Sequence, residues 1–233
     1  MIPPAPPRAW PSKLRGWLRR AAVAACFVPG GGPWPDPRVP LALLAAGGLL
    51  HLLSKAYLVR RSRLAREGPY RWVRHPFYLA NLLIEPGLLL WAGAWWAVPA
   101  YLAVAHFAYR ASMAEEERDL ADLHGEAWTA YAARVPRLLP LRGPCPRGDG
   151  PGFSLRSLIY EKEIPRLVRL LSLPLGISWW HRFLDQPGPL ADHALLPAPA
   201  DGSAMLLVGF VGAQCLSWVL AGLLRTRGRV LTQ

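Results

Sequence analysis

The chain has few acidic residues and few cysteines. Aspartate and glutamate number 15 against 27 lysines and arginines, which gives a formal net charge of +12. The three cysteines, Cys26, Cys145 and Cys215, lie far apart, and none belongs to a CxxC pair. The sequence therefore predicts neither a disulfide framework nor a metal site.

The basic residues do not form one continuous stripe, which weakens the case for a nucleic-acid-binding protein. Most of them flank apolar segments, and 52% of the chain is hydrophobic. Alternating apolar segments and basic loops are typical of a membrane protein. We therefore expect a lipid bilayer as a partner and no nucleic acid.

Three regions are long and apolar enough to cross a bilayer, which takes about 20 residues. They are Val39–Val59, Phe77–Tyr109 and Ala204–Leu224. As one helix, the middle region would be about 50 Å long, well beyond a hydrocarbon core of about 30 Å. Gly93, Trp95-Trp96 and Pro99 interrupt it. We predict a helical hairpin, Phe77–Gly93 and Trp96–Ser112.

Arginines on both sides of this hairpin predict its orientation. Six precede it and four follow it, whereas its turn has no basic residue: Arg60, Arg61, Arg63, Arg66, Arg71 and Arg74, then Arg110, Arg118, Arg134 and Arg137. The positive-inside rule places both flanks in the cytoplasm.

The remaining segments predict surface helices and loops. Residues 13–28 read as a basic interfacial helix, with a signal peptide as the alternative. Residues 115–133 have apolar side chains at spacings of three and four, typical of an amphipathic helix on the cytoplasmic membrane face. Residues 155–184 carry a short apolar run, Leu170–Trp180, that is interfacial or re-entrant, and whether this segment crosses the membrane stays open. The predicted fold class is an all-α, polytopic helical membrane protein.

Two clusters carry residues suited to chemistry. The stretch Gly68–Asn81 contains Tyr70, Arg74-His75-Pro76 and Tyr78 directly before a membrane helix, and Glu115-Glu116-Glu117 follows the hairpin. Taken singly, the first is typical of a basic, aromatic membrane interface and the second of a helix start. A hairpin returns both to one membrane face, where a carboxylate and aromatic rings suit a cationic cofactor. Adjacent glutamates point about 100° apart, so we expect only one of them to face the pocket.

The ordered set of motifs resembles the isoprenylcysteine carboxyl methyltransferase and phospholipid methyltransferase superfamily. The resemblance covers roughly residues 60–141: the Gly68–Asn81 stretch, then Glu116-Glu117, Leu120, Gly125, Trp128, Tyr131 and the segment Arg134–Pro140. These are membrane enzymes that use S-adenosylmethionine. Ala80, His124 and Trp128 depart from the pattern, which usually has Gly, Phe and Tyr there.

The resemblance implies a cofactor pocket lined by Tyr70, His75, Pro76, Phe77 and Tyr78. It implies Glu116 as the carboxylate that binds S-adenosylmethionine, with Glu117 as the alternative. His75 and Arg110 are the candidate catalytic residues, with Arg110 expected to hold an anionic substrate. Glu85, a carboxylate within the hairpin, either faces a substrate channel or pairs with an arginine.

The predicted function is S-adenosylmethionine-dependent methyl transfer to a lipophilic or small acceptor: an isoprenoid-linked carboxylate, a lipid amine or a thiol. The alternatives are an NADPH-dependent membrane reductase of the sterol reductase type and a non-catalytic scaffold. The predicted organisation is a basic N-terminal segment (1–38), a methyltransferase core (39–141), a linker with an interfacial or re-entrant segment (142–203), and a last transmembrane helix with a basic tail (204–233). The sequence does not determine the oligomeric state.

Overall fold

A computed structural model describes residues 10–28, 36–58, 63–148, 150, 152–160, 163–186, 190, 193, 195 and 202–230. Arg60 and Arg61, which entered the prediction of orientation, and Val59, the predicted end of the first span, lie outside these residues. So do most of residues 187–201. The α-helices are α1 (Trp10–Ala25), α2 (Arg38–Tyr57), α3 (Pro76–Trp91), α4 (Ala97–His124), α5 (Glu126–Arg134), α6 (Leu155–Tyr160), α7 (Glu163–Leu184) and α8 (Ser203–Val230).

The predicted all-α class is confirmed for the described residues, which contain helices and no strand. Two of these helices are long and apolar enough to cross a membrane: Arg38–Tyr57 and the stretch Ser203–Leu223 of α8. Both agree with predicted spans. In the stretch of α8, only 6% of the apolar part is buried within the protein.

Helices α2 and α3 pack closely because a glycine lies at their contact. A Cβ at Gly47 would lie 2.7 Å from Cγ1 of Ile84 and 2.9 Å from the carbonyl oxygen of Ala80. No side chain fits at those distances, so only glycine allows the two backbones to approach so closely. This contact holds the start of α3, where the first motif lies, against α2.

The predicted hairpin is present as α3 and α4, joined by residues 92–96. Gly93 adopts a φ of 73° in this turn, a left-handed conformation that glycine accommodates readily. With 16 residues, α3 is about 24 Å long, shorter than a bilayer core of about 30 Å. By length and composition, neither α3 nor α4 is a candidate span, and the membrane crossing of the hairpin stays a prediction.

The predicted amphipathic helix over residues 115–133 is wrong as a single element. Residues up to His124 continue α4, and Gly125, with a φ of 52°, separates them from α5. The expected apolar face is divided by this break: Leu123 is exposed, whereas Trp128 and Tyr131 are buried with Val135 in a small core of their own.

Helix α1 packs onto α3 and α4. Its buried residues Leu18 and Ala22, with Cys26 just after it, join the main hydrophobic core, which also contains Tyr78 and Tyr109. The predicted basic helix at 13–28 is therefore helical, and α1 lies against the hairpin. Its proposed position at the membrane interface stays a prediction.

The run Leu170–Trp180 is not a separate short segment. It forms the middle of α7, which has 22 residues and packs along α8. The Ser217 hydroxyl on α8 donates to the Pro165 carbonyl at 2.8 Å, and the Gln214 amide donates to Ser172 at 2.8 Å. Because both ends of α7 are charged, the sequence predicted only a short apolar run and not a helix of this length.

Candidate functional site

Backbone hydrogen bonds join the first motif to the end of the second. The Arg74 amide donates to the Pro136 carbonyl at 2.9 Å, and the His75 amide donates to the Arg137 carbonyl at 3.1 Å. The Tyr131 hydroxyl donates to the Tyr70 carbonyl at 2.8 Å. The segment after α5 therefore sets the position of the His75 backbone.

The chain enters this site through a short 3-10 helix, Gly68–Arg71. Gly68 has a φ of 59°, and a Cβ there would lie 2.4 Å from the Tyr57 ring, so glycine meets both a backbone and a space requirement. Pro76 is the first residue of α3, where the missing amide costs no helical hydrogen bond. His75 is thus held at the start of a helix.

Both glutamates contact His75, although adjacent side chains on a helix point about 100° apart. Nδ1 of His75 lies 3.6 Å from Oε2 of Glu116, and Nε2 lies 3.0 Å from Oε1 of Glu117. The two nitrogens lie on different edges of one ring, so the ring reaches both carboxylates although they diverge on α4. Burial disfavours a charged ring, but hydrogen bonds to Glu116 and Glu117 outweigh it and raise the pKa of His75.

Glu117 is surrounded by cations. Its Oε1 lies 3.2 Å from Nη1 of Arg74 and 3.0 Å from Nε of Arg137, and Oε2 also accepts from Arg137. Burial opposes the charge, but the hydrogen bonds from His75 and Arg137 and the charge of Arg74 lower the pKa of Glu117 to about 2. Glu117 is therefore an anion committed to partners within the protein.

Glu116 is more accessible than Glu117, with side-chain exposures of 45% and 12%. The Tyr78 hydroxyl donates to Oε1 of Glu116 at 2.6 Å. Burial opposes its charge, but hydrogen bonds with His75 and Tyr78 and the charge of Arg15 lower its pKa. Glu116 is therefore the carboxylate that is both ionised and reachable from solvent.

Arg15 of α1 belongs to this site, although no motif in the sequence indicated it. Its Nη1 lies 3.1 Å from Oε1 of Glu116 and also donates to the Tyr78 hydroxyl. Its guanidinium lies 5.3 Å from the centre of the Tyr78 ring. Four-residue spacing of Arg15 and Arg19 on a basic helix is a signal in the sequence, but it does not reveal which acids the helix meets.

The Tyr70 hydroxyl is buried and has no hydrogen-bond partner within the described part of the chain. Burial, together with the nearby Tyr131 and Glu116, raises the pKa of Tyr70, so the hydroxyl stays neutral. A buried polar atom without a partner is costly, and such atoms are found where a ligand or water completes the site.

Two predicted site residues lie elsewhere. The Phe77 ring packs edge-on against His51 of α2, with ring centres 5.0 Å apart, so it contacts α2 and not the glutamates. Arg110 is exposed on α4, and no contact among the described residues joins it to His75 or Glu116. The arginine that reaches the site comes instead from α1.

Glu85, for which two alternatives were open, pairs with an arginine. Its side chain is 4% exposed, and Oε1 lies 3.0 Å from Nε of Arg19. The Tyr101 hydroxyl donates to Oε2 at 3.3 Å, and the Tyr101 and Tyr109 hydroxyls lie 3.2 Å apart. Pairing and hydrogen bonds offset the cost of burying this charge.

The arrangement can bind a cation. An ionised and accessible carboxylate, Glu116, lies beside an aromatic ring, Tyr78, and both already contact the guanidinium of Arg15. A carboxylate and a ring face are the two groups that stabilise an organic cation. The neighbouring Tyr70 hydroxyl adds an uncommitted donor and acceptor.

Comparison with known proteins identifies relatives of part of the chain. Residues 42–122 match the sequence model of the isoprenylcysteine carboxyl methyltransferase family. A curated relative, methanethiol S-methyltransferase 1 of Bradyrhizobium diazoefficiens, is 36% identical over an aligned stretch of 81 residues that covers 31% of this chain. The chain spans 25% of the length of that relative. No solved structure matches the chain.

The matched segment differs slightly from the predicted one. It starts earlier than residue 60, within α2, and it ends before the Arg134–Pro140 segment. It includes His75, Tyr78, Glu116 and Glu117. The resemblance predicted from the motifs is therefore confirmed: through residues 42–122, this chain is similar to the isoprenylcysteine carboxyl methyltransferase family.

Proposed function

We propose that the protein is a membrane-embedded methyltransferase that uses S-adenosylmethionine and methylates a lipophilic or small acceptor. The family match over residues 42–122 supports a methyltransferase. The candidate spans α2 and Ser203–Leu223 support a membrane location. The basic flanks of the hairpin support an active site on the cytoplasmic side.

The contact of Arg15 with Glu116 and Tyr78 is the observation that carries the proposal. These two residues already contact one organic cation within the protein: Nη1 of Arg15 lies 3.1 Å from Oε1 of Glu116, and its guanidinium lies 5.3 Å from the centre of the Tyr78 ring. The cofactor carries an ammonium group and a sulfonium, so its chemistry suits the same partners. Arg15 would then leave Glu116 or share it when the cofactor binds.

The residues around Glu116 fit the remaining parts of the cofactor. The Tyr70 hydroxyl, buried without a partner among the described residues, can bond to a ribose or adenine group. The Tyr78 ring offers a face to a positive charge. Bound S-adenosylmethionine would supply a methyl group already activated by the positive sulfur, so the protein has chiefly to position it and exclude water.

His75 suits positioning better than proton abstraction. Carboxylates flank both of its nitrogens, and the raised pKa of His75 favours the protonated ring, which cannot accept another proton. We therefore assign His75 the role of keeping Glu116 and Glu117 apart and charged. An acceptor that reacts as an anion needs no general base, so a carboxylate or a thiolate fits this site better than an amine.

The curated relative supports a thiol as one acceptor class, since its name describes methyl transfer to methanethiol. The exposed apolar surface of α8 supports a location in a bilayer, which is where lipophilic acceptors dissolve. We therefore propose acceptors of both sizes that react as anions: small thiolates, and lipophilic thiolates or carboxylates.

Methyl transfer from labelled S-adenosylmethionine tests this proposal. The full chain, purified in detergent, is incubated with methanethiol, a long-chain thiol, an isoprenylated cysteine or a lipid amine, and labelled products are separated. Glu116→Gln removes the proposed cofactor carboxylate. Glu115→Gln is the matched control, because it makes the same change on the preceding residue, which has no contact to His75 or Tyr78 among the described residues.

We expect label in a thiol or carboxylate product with the wild type and with Glu115→Gln, and its loss with Glu116→Gln. Label in the lipid amine alone would contradict the assignment of an anionic acceptor. Transfer that survives Glu116→Gln undiminished would contradict the assigned cofactor site.

A further inference from the structure

A second site lies apart from the His75 cluster. A cavity of about 730 Å³ opens between α1, α7 and α8, with His51 of α2 and Asn81 and Ile84 of α3 on its wall. Neither His75 nor the glutamates of α4 line it. Its volume is within the range of about 300–1,000 Å³ typical of ligand pockets.

Arginines supply the charge of this cavity. Arg19 and Arg20 come from α1, and Arg166 and Arg169 come from α7; the described lining residues include no aspartate or glutamate. All four side chains belong to exposed residues, so they lie where a ligand can reach them. The buried Glu85 pairs with Arg19, with its Oε1 3.0 Å from Nε of Arg19. Two arginine pairs that face one opening favour an anion.

The rest of the lining is mainly apolar. Its apolar side chains include Val23, Phe27, Leu167, Leu170, Leu173 and Phe210. Helices α2 and α8, which border it, are the two candidate membrane-spanning helices. An apolar floor with arginines at its edge, beside membrane helices, matches the two halves of an amphiphile at a bilayer surface.

We propose that this cavity binds an amphiphile with an anionic headgroup and an apolar chain. The headgroup, a phosphate or a carboxylate, lies between the arginines of α1 and those of α7, and the chain lies along Leu170, Leu173 and Phe210. Such a ligand joins α1 to α7. The proposal does not depend on methyl transfer, because the cavity and the His75 cluster use different residues.

Binding of short-chain lipids to the full chain in non-ionic detergent tests the proposal. Native mass spectrometry measures the occupancy by phosphatidylglycerol, by phosphatidylcholine of the same chain length, by a fatty acid and by inorganic phosphate. Arg166→Gln/Arg169→Gln removes the charges of α7 from the cavity without touching the His75 cluster. Arg118→Gln with Arg142→Gln is the matched control, because these arginines are exposed on α4 and after α5, outside the cavity.

We expect one phosphatidylglycerol to bind per chain, and more tightly than phosphatidylcholine. The double variant at Arg166 and Arg169 should bind it about 25-fold more weakly, since each arginine near an anionic lipid contributes about a factor of five. The control should bind it as the wild type does. If a fatty acid competes with phosphatidylglycerol, the site accepts any amphiphile with an anionic headgroup. If it does not compete, the site recognises the phosphate headgroup specifically.

Three results would overturn the proposal. Equal binding of both phospholipids would mean that the arginines do not select the headgroup. Inorganic phosphate that binds as tightly as the lipid would mean that the apolar floor has no role. Unchanged lipid binding in the Arg166→Gln/Arg169→Gln variant would place the lipid elsewhere. If the Arg166→Gln/Arg169→Gln variant binds lipid more weakly but binds S-adenosylmethionine normally, the lipid site is distinct from the site of the proposed function.

Discussion

At the scale of single residues, the site divides two neighbouring glutamates between different partners. Glu117 is committed to Arg74, His75 and Arg137. Glu116 is half-exposed and, besides His75, contacts Tyr78 of α3 and Arg15 of α1. His75 lies between them and contacts both. Loss of Glu117 should therefore affect stability, and loss of Glu116 should affect binding.

The first prediction concerns the affinity for S-adenosylmethionine. Glu116→Gln should weaken binding by about one to two powers of ten, because a hydrogen bond to a charged group contributes about 1.5–3 kcal/mol. Calorimetric titration of the detergent-purified protein measures the change. Glu115→Gln should bind as the wild type does. Equal effects of the two substitutions would show that only the general charge of this helix matters.

The second prediction concerns stability at acid pH. The pKa of Glu117 is lowered from 4.5 to about 2 on folding, so the unfolded chain takes up the proton first as the pH falls. Its contribution to stability is thus complete above about pH 4.5 and is lost as the pH falls towards 2. Thermal unfolding at a series of pH values should show a decline across this window that Glu117→Gln reduces. A slope unchanged by the substitution would contradict the assigned ion pairs.

The sequence predicted which residues form the site better than it predicted which residues contact one another. Tyr70, His75, Tyr78, Glu116 and Glu117 were predicted from motifs, and the fold brings them together. Phe77 and Arg110 were predicted with them but point elsewhere, because a motif does not say which face of a helix packs inward. Arg15 was missed because its partners are about 60 to 100 residues away along the chain, on α3 and α4.

At the scale of elements, α1 contributes to the site in addition to α3 and α4. It brings Arg15 to Glu116 and Arg19 to Glu85, one turn apart on the same face. Glu85 is buried and Glu116 is half-exposed. The ion pair of Arg19 with Glu85 therefore anchors α1, whereas a ligand can replace Arg15 at Glu116 more easily. A cationic ligand at Glu116 therefore competes with Arg15.

The third prediction follows from this competition. Arg15→Gln should tighten the binding of S-adenosylmethionine by about fivefold, since a partly exposed ion pair contributes up to about 1 kcal/mol. Titration calorimetry measures the affinity. Arg20→Gln is the control on the same helix, because its guanidinium lies over the Trp17 ring, away from Glu116. Weaker binding in Arg15→Gln would mean that Arg15 supports the cofactor and does not compete with it.

The elements themselves were predictable where composition changes sharply. The apolar regions predicted α2, α3 and the starts of α4 and α8 to within a few residues, whereas α4 continues to His124, beyond the predicted end at Ser112. The break at Gly125 was not predicted, because the apolar spacing on either side of it is continuous in the sequence. Likewise α7 was underestimated, since its charged first half resembles a loop and Pro174 lies inside it.

At the scale of the whole molecule, the arrangement in the membrane is still a prediction. The hairpin returns His75 and Glu117 to within 3.0 Å of each other, so both of its flanks lie at one end of α3 and α4. The arginines of these flanks predict that this end is cytoplasmic. The turn at residues 92–96 is then at the opposite surface.

The fourth prediction tests this orientation. An epitope tag inserted between Gly93 and Trp96 should react with antibody in intact cells, because the turn has no basic residue and exposes Trp95 and Trp96. A tag in the linker before α6, after Gly143, should react only after permeabilisation. Reaction of the turn tag only in permeabilised cells would reverse the proposed topology or show that the hairpin does not cross.

The central claim is that the cluster of His75, Tyr78 and Glu116 binds S-adenosylmethionine, and direct binding tests it. The full chain in detergent is titrated by calorimetry with S-adenosylmethionine and, separately, with NADPH. The account predicts saturable binding of S-adenosylmethionine at one site per chain and no binding of NADPH. Binding of NADPH alone would contradict it and assign the protein to the membrane reductases, and binding of neither would favour a scaffold.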